Sequence, residues 1–455
     1  MTRPRLVVDD RVAASAETMG DSMHALLHEL FPLARSITGA GLRATVRRLS
    51  ELAPLDVTEV PSGTPVFDWT IPEEWSIDEA YVIDPAGRRV ADWGTSTLQV
   101  VGYSTPVDST MSLAELQPHL HSLPDQPGLT PYRTSYYSPS WGFCIPDQLR
   151  RSLPEGDYRV VIRSKLTPGS LTIAEHLHPG TTEDEILVFA HDCHPSLAND
   201  NLSGVVVSIM LAAFLRGRVT RYSYRFIFAP ATIGSIAWLA THRDGLHRVK
   251  HGLVLSLLGG GGGFHYKKSR RGDRPIDRAA WNILRTSSTD AHLLDFIPWG
   301  YDERQFCSPG FDMPVGRLTR TPNGEFPEYH TSADNTEFVT AAELADAWLT
   351  CLRIFEALEG DLRYLNLAPF GEPQLGKRGL YRATGGHQHV PERQLALLWV
   401  LNQSDGSASL LDIAERADLP FGVVASAATD LEAAGLLRAI PDDEVAAPTP
   451  SYSLP

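Results

Sequence analysis

Between residues 18 and 34, in TMGDSMHALLHELFPLA, apolar side chains recur every three or four positions, at Met23, Leu26, Leu27, Leu30 and Phe31. That spacing lines one face of a helix and predicts one here. The next stretch, RSITGAGLRATVRRLSEL, predicts a turn at Gly39 and Gly41 followed by a second helix. From about 55 to 130 the pattern breaks into short apolar pieces separated by proline and glycine, as in VPSGTPVFDWTIPEEWSIDEAYVIDP and STLQVVGYSTPVDST. This texture predicts a small β-rich insertion. From residue 158 onward YRVVIRSKL, GSLTIAEHLHPG and DEILVFAHDC predict three strands, with a helix beginning near Ser203. YSYRFIFAPAT then predicts a strand, GSIAWLATH a helix start, VKHGLVLSLLGG a strand and DRAAWNILRTS a helix. Buried strands alternating with helices define the fold class as α/β, a three-layer domain with a mixed sheet. Functional loops are expected at the carboxyl ends of its strands.

Beyond residue 376 the pattern changes again. PERQLALLWVLNQSDGSASLLDIAERADLPFGVVASAATDLEAAGLLRAI contains three short helical periods and ends in GLLRAI, the outline of a winged helix-turn-helix. Its second helix, PFGVVASAATDLEAAG, has no lysine or arginine with which to grip phosphates. A structural or oligomerising role is therefore expected, and nucleic acid is not an expected partner. The tail PDDEVAAPTPSYSLP reads as disordered. The expected domains are 15–54 and 131–375 as two parts of one α/β unit, 55–130 as the insertion, and 376–445 as the winged helix.

A chain of 455 residues exceeds the usual size of a single core, which agrees with several domains. The net charge of -15 disfavours indiscriminate binding to nucleic acid or anionic membrane. Four widely spaced cysteines form neither a zinc-finger spacing nor a disulfide framework and suit a reducing compartment. No secretory signal pattern and no uninterrupted apolar run of membrane-spanning length is found, so a cytoplasmic protein is expected. A homo-oligomer, with a dimer as the default, is a reasonable expectation.

Candidate chemistry concentrates in three polar stretches. AHDCHPSLANDNLSGV, residues 190–205, lies between two apolar runs and holds His191, His194, Asp200 and Gly204. Catalytic zinc takes three protein ligands from imidazoles and carboxylates and keeps one position open, and His194 and Asp200 can supply two. Asn199 and Asn201 could hold the carboxylate's orientation. A histidine in a polar loop can equally be solvated or bonded to backbone, and His191 is read as orienting the loop. GYDERQFCSPGFDMPVGRL (300–318) offers Asp302, otherwise a helix cap or surface charge, and FPEYHTSADN (326–335) offers His330. Arg304 and Gln305 could bind a substrate carboxylate or carbonyl, as could Arg133 in YRTSYY. Tyr136 and Tyr137 are read as braces for the insertion. The glycine run LLGGGGGFH lacks a phosphate-loop pattern and reads as a flexible strand exit. The basic cluster HYKKSRRGD reads as a solvated face, with a place at the pocket rim as the alternative. A Ser196, Ser203 or Cys193 nucleophile has no acid–base partners that sequence can establish.

The stretches LFPLARSITGAGLRAT, VPSGTPVFDWTIPEEW, YYSPSWGFC, HDCHPSLANDNLSG, DERQFCSPGFDMPVG and YHTSADN resemble a bacterial family of aminopeptidase-like proteins. That family is similar to the zinc-dependent leucyl aminopeptidase superfamily, with an inserted β domain and a C-terminal winged helix, and the resemblance spans about residues 20–440. By position it implies metal ligation by His194, Asp200, Asp302 and His330, with Asp200 the bridging aspartate of binuclear relatives. The resemblance also exposes a departure: where such enzymes carry adjacent glutamates, base and ligand, FAPATIGSIAWL has Ala231 and Thr232. One Zn2+ is therefore expected rather than two. Glu328 is the candidate catalytic carboxylate, with Glu325 read as a solvated loop residue. The expected function is zinc-dependent hydrolysis of an amide or peptide bond in a small peptide or amino-acid conjugate. The alternatives are a degraded aminopeptidase-like binding or scaffolding protein and a DNA-binding regulator.

Overall fold

The computed structural model describes residues 6–380 and 392–441. The helices used below are, in chain order, α1 (Ala16–Leu30), α2 (Ala40–Ser50), α3 (Gly204–Leu215), α4 (Ile233–Thr241), α5 (Pro275–Ser287), α6 (Glu303–Phe306), α7 (Ala341–Gly360), α8 (Glu392–Gln403), α9 (Leu410–Ala417) and α10 (Phe421–Ala433). The strands used below are β1 (Asp56–Pro61), β2 (Glu74–Ile83), β3 (Arg89–Asp92), β4 (Val107–Ser112), β5 (Asp157–Thr167), β6 (Ser170–His178), β7 (Glu185–His191), β8 (Ser223–Ala229), β9 (Val249–Leu255), β10 (Phe264–Lys267), β11 (Ala291–Leu294), β12 (Val315–Thr319), β13 (Arg363–Asn366), β14 (Asp405–Ser409) and β15 (Leu437–Ala439).

An eight-stranded mixed sheet runs β1-β6-β8-β7-β9-β12-β10-β11. β7 lies at its centre, parallel to both β8 and β9. Every residue of β7 is buried, and successive side chains alternate between two cores. Ile186, Val188 and Ala190 face a core shared with α1, α3, α5 and α7, whereas Leu187 and Phe189 face a second core that includes Ile233, Ile236 and Trp238 of α4. Both sheet faces are thus covered, as a three-layer domain requires. α1 and α7 meet closely because Gly20 has no side chain: a Cβ there would sit 2.3 Å from the Ala341 carbonyl oxygen.

The segment Ala198–Leu215 is apolar and long enough to pass for a membrane span, yet 83% of it is buried within the protein. It is the core helix α3 with its entry turn, which explains its composition without a bilayer.

The smaller sheet, β3-β2-β5-β4, differs from the expected insertion at both edges. β1 pairs with β6 and belongs to the large sheet. β5, the strand expected to open the α/β domain, pairs with β2 and β4 instead. Its alternating side chains seal a third core with Val82, Val100 and Phe143.

At the C-terminus β13 pairs with β14 and β15 to form the wing beside α8, α9 and α10. This unit rests on the α/β domain. The Asn282 side chain donates to the Leu419 carbonyl at 3.2 Å and accepts from the Phe421 N–H at 2.9 Å, both buried. Arg278 pairs with Asp412 and Glu415. The N-terminal end of α10, the part of a recognition helix that would contact bases, is therefore packed against α5. Most of the expected disordered tail, residues 442–455, lies outside the described residues.

Candidate metal centre and its pocket

The apolar run of β7 delivers His191, its last residue, fully buried at the carboxyl end of the central strand. The chain then turns through Asp192, Cys193 and His194 and reaches Asp200 in an irregular helical turn that leads into α3. His191, His194 and Asp200 each present a donor atom within 4.8 Å of the others. His191 Nε2 lies 3.0 Å from Asp200 Oδ1, and His330 Nε2 lies 2.8 Å from Asp200 Oδ2. The His194 and His330 ring centres are 5.4 Å apart, although 136 positions separate them in the chain. His330 is held at φ 55°, a left-handed conformation that non-glycine residues seldom adopt, and its ring stacks on Tyr329 at 3.9 Å.

The backbone around Asp200 is tied from three directions. The Asp334 carboxylate accepts the N–H groups of Asn199 at 2.5 Å and Asp200 at 2.9 Å. The Asn201 side chain donates to the Leu255 carbonyl and accepts from the Leu257 N–H. Asn199 Oδ1 accepts from the N–H groups of Gly259 and Gly260. These two asparagines brace the loop rather than the carboxylate. The glycine run is correspondingly tight at its start, not flexible: a Cβ on Gly259 would lie 2.4 Å from Val339, and one on Gly260 would lie 2.7 Å from Phe338. The buried Arg35 donates to the His194 carbonyl at 2.9 Å and to the Leu30 carbonyl at 2.5 Å, fastening the loop to the end of α1.

The electrostatics suit a cation. Both carboxylate oxygens of Asp192 and Oδ2 of Asp302 are buried without a hydrogen-bond partner. Burial raises Asp192 to about 7, with His191 and Arg35 opposing the rise. Burial likewise raises Asp302 to about 6, opposed by His191 and by the Ser235 hydroxyl, which donates to Oδ1 at 2.6 Å. Burial lowers His194 to about 3, so its imidazole is neutral and free to ligate. Two imidazoles and one carboxylate around unpaired buried acids fit a divalent transition ion. Among the described residues this is the one such three-ligand group.

Of the expected ligands, His194, Asp200 and His330 come together, while Asp302 stands outside the converging group. His191 joins it, although its sequence context suggested only loop orientation. Its position as the last residue of an unbroken buried strand was the available signal.

Above the centre lies a cavity of about 370 Å³, lined by His194, His330, Ala231 and Thr232 and roofed by aromatic side chains that include Tyr132, Tyr136, Tyr137 and Trp69. The segment between β4 and β5 supplies the three tyrosines of the roof and is tied to the ligand loop: the Tyr132 N–H donates to the His330 carbonyl at 2.8 Å, and Pro131 bridges Thr331. Tyr136 and Tyr137 therefore line the cavity as well as brace it. Gln305 lines a smaller adjoining cavity that shares Trp69 and Ile236. Arg304 and Arg133 are not among the lining residues of either, and Arg133 contacts His121. Glu328 is partly buried on the loop carrying His330, and its carboxylate is outside the cavity lining.

The basic cluster is a solvated face only in part: Arg270 and Arg271 are exposed as expected, whereas Lys267 is not. Lys267 is buried and donates to Glu303 at 2.7 Å, Lys268 pairs with Asp295, and Arg270 and Arg271 pair with Asp312. Cys193 is buried, and burial keeps its thiol protonated well above the usual range, contrary to what a nucleophile needs.

Comparison with known proteins places these features in context. Residues 24–361 match the model of a domain of unknown function, DUF4910, and residues 362–439 match a winged helix-turn-helix model. A curated relative from Clostridium acetobutylicum is 45% identical over 95% of this chain and 99% of its own length. It is provisionally described as a polysaccharide biosynthesis protein with an aminopeptidase-like domain. A crystal structure from the same organism, provisionally described as a peptidase, superposes with a TM-score of 0.90 at 43% identity, covering 95% of this chain and 99% of that one. A zinc aminopeptidase from Bacillus subtilis shares the fold at a TM-score of 0.55 and 15% identity, over 75% of this chain and 94% of its own.

Proposed function

We propose that this chain, which belongs to the DUF4910 family, is a zinc-dependent hydrolase of an amide or peptide bond in a small peptide or amino-acid conjugate. The observation that carries the reading is the convergence of His191, His194 and Asp200 beneath a cavity of ligand size, in an aminopeptidase-like fold. His330, 2.8 Å from the second oxygen of Asp200, is the further donor that would complete the set around an ion. A single zinc ion there would supply Lewis acidity toward a carbonyl and would activate water near neutral pH. The chain's own groups do the rest. Asp334, Asn201 and Asn199 hold the ligand loop in place before substrate arrives. The aromatic roof offers apolar surface to the substrate, and the Tyr132 and Tyr136 hydroxyls, hydrogen-bonded to each other at 3.1 Å on the cavity wall, are the groups that would orient the amide. Glu328 is the carboxylate assigned to proton transfer, because it lies two residues before His330 on the same loop and could reach the centre if that loop folds over the ion.

The reading extends to a cytoplasmic location, supported by four buried free cysteines, and to a winged helix used for assembly rather than for DNA. The docked end of α10 supports the latter.

Metal analysis joined to an amide-hydrolysis screen tests the proposal. The expected result is about one equivalent of zinc per chain, with turnover lost on chelation and restored by zinc but not by magnesium. A chain that takes up no stoichiometric transition metal would overturn it. The scaffolding alternative rests on Ala231 and Thr232 facing the cavity, and any fast metal-dependent turnover excludes it.

A further inference from the structure

The cavity over the metal cluster has an unusual charge inventory. Its lining comprises Ile37, Ile233 and Ile236, five tyrosines, one tryptophan, Thr134, Ala231, Thr232 and the two histidines, with neither a carboxylate nor a lysine or arginine. The nearby carboxylates lie below this wall. Asp200 is fully buried and accepts from His191 and His330. Asp302 is also fully buried and is bonded to Ser235, and Asp192 is 3% exposed. At the mouth, Trp69 and Tyr137 stand 45% and 47% exposed with ring centres 5.4 Å apart, an uncovered aromatic lip. Exposed aromatic side chains paired beside a cavity are contact area for a ligand with an apolar or flat face.

We propose that the substrate is an amide of an uncharged acyl group, with no ammonium beside the scissile carbonyl, so that the enzyme acts as an N-deacylase rather than on free amino termini. This rests on the amide-hydrolase reading and names its substrate class. An ammonium drawn into this cavity would shed water and find no counter-charge on the wall, which costs several kcal/mol. An uncharged acyl chain incurs no such penalty and buries its surface against the isoleucines and tyrosines. Ala231 and Thr232 are central to the argument, since both line the cavity and neither carries a charge that could pair with that ammonium. The overall reaction adds water across the C–N bond: the oxygen joins the carbonyl carbon to give a carboxylic acid, and the freed nitrogen takes a proton.

The test compares ligands that differ only in the ammonium. Leucine hydroxamate and 4-methylpentanohydroxamic acid chelate zinc, are not amide substrates and have otherwise equal shape. With the zinc-loaded full-length chain the uncharged hydroxamate should bind at least about tenfold tighter, a 1.4 kcal/mol preference. Ala231→Glu should reverse or abolish the order, and Thr232→Asp provides a second carboxylate if the first variant does not fold. Equal binding, or tighter binding of leucine hydroxamate by the native chain, overturns the proposal. In parallel, 4-methylpentanoyl p-nitroanilide should be cleaved with at least about tenfold higher kcat/KM than leucine p-nitroanilide. If the binding order holds but neither anilide, nor any other amide, is cleaved, the hydrolase reading fails while the cavity's charge selection stands. Failure of both hydroxamates to bind removes both.

Discussion

Replacing Asp334 by asparagine separates the scaffold of the metal centre from its ligands, because Asp334 touches the backbone of Asp200 and not its carboxylate. Its two oxygens accept the N–H groups of Asn199 and Asp200 at 2.5 and 2.9 Å in a fully buried setting. Asparagine has the same shape but presents one oxygen and one NH2 group, so one backbone N–H must face another donor. Burial raises the Asp334 carboxyl to about 7, so the comparison is made at about pH 8.5, where it is ionised; a hydrogen bond to a charged group then contributes about 1.5–3 kcal/mol, and a buried donor left without an acceptor costs about 1–3 kcal/mol. Relaxation of the loop recovers part of this sum, and a net loss of about 2–4 kcal/mol is expected. The same relaxation releases the Asp200 backbone, and supports of this kind typically carry 10–100-fold in metal affinity, about 1.4–2.7 kcal/mol. Chemical denaturation of the zinc-free chain measures the first effect and competitive zinc titration the second. Ser332→Ala is the control, since its hydroxyl accepts only the Thr130 N–H from the neighbouring strap; a loss of about 1 kcal/mol and little change in zinc affinity are expected. If Asp334→Asn binds zinc within about twofold of the native chain and unfolds at the same denaturant concentration, the claim that this carboxylate builds the centre is refuted.

His191→Ala should abolish stoichiometric zinc binding, read by metal analysis after gel filtration; retention of a full equivalent would return His191 to a loop-orienting role. Glu328→Gln should leave zinc content unchanged and lower kcat by about 10²–10⁴-fold in a hydrolysis assay, whereas an unchanged kcat removes the carboxylate from proton transfer. Glu175 gives a prediction in pH: burial pushes its carboxyl up, but His242, Arg225 and Trp238 pull it further down, to about 2. A depressed carboxylate stabilises the fold above its unfolded pKa, and that contribution, about 2–3 kcal/mol, is lost as pH falls from about 5 toward 2. Glu175→Gln should therefore destabilise at pH 7 and progressively less below pH 4, as followed by denaturation at each pH. At the winged-helix contact the buried Asn282 should outweigh the exposed ion pairs: Asn282→Ala is expected to cost about 2–4 kcal/mol and to speed proteolysis between the domains, while Arg278→Ala costs under about 1 kcal/mol.

The sequence made residue types and periodicities legible, and with them the alternation of strands and helices. It did not reveal which surface each element would find. β5 shows why: its pattern reads as a strand either way, but its β2 partners lie 76 to 93 positions earlier in the chain, from Ile83 opposite Arg159 to Glu74 opposite Thr167, and that pairing is what puts it in the small sheet. Lys267 is the same lesson in charge. Within HYKKSRRGD it looks solvated, and only the fold brings Glu303 to within 2.7 Å and makes its burial affordable. His191 is a related case: a histidine next to polar residues reads as part of a loop, although the strand carrying it is buried through its last residue and parallel to both neighbours. In an open α/β sheet the end of such a strand is where ligands gather, so position in the sheet outranks local polarity. Ala231 and Thr232 run the other way, since the segment following Ala229 lies beside the histidine loop through the His191–Ala229 register. Their lack of charge was visible in the sequence, but what it excludes became apparent only once the same two residues were found on the wall of the cavity.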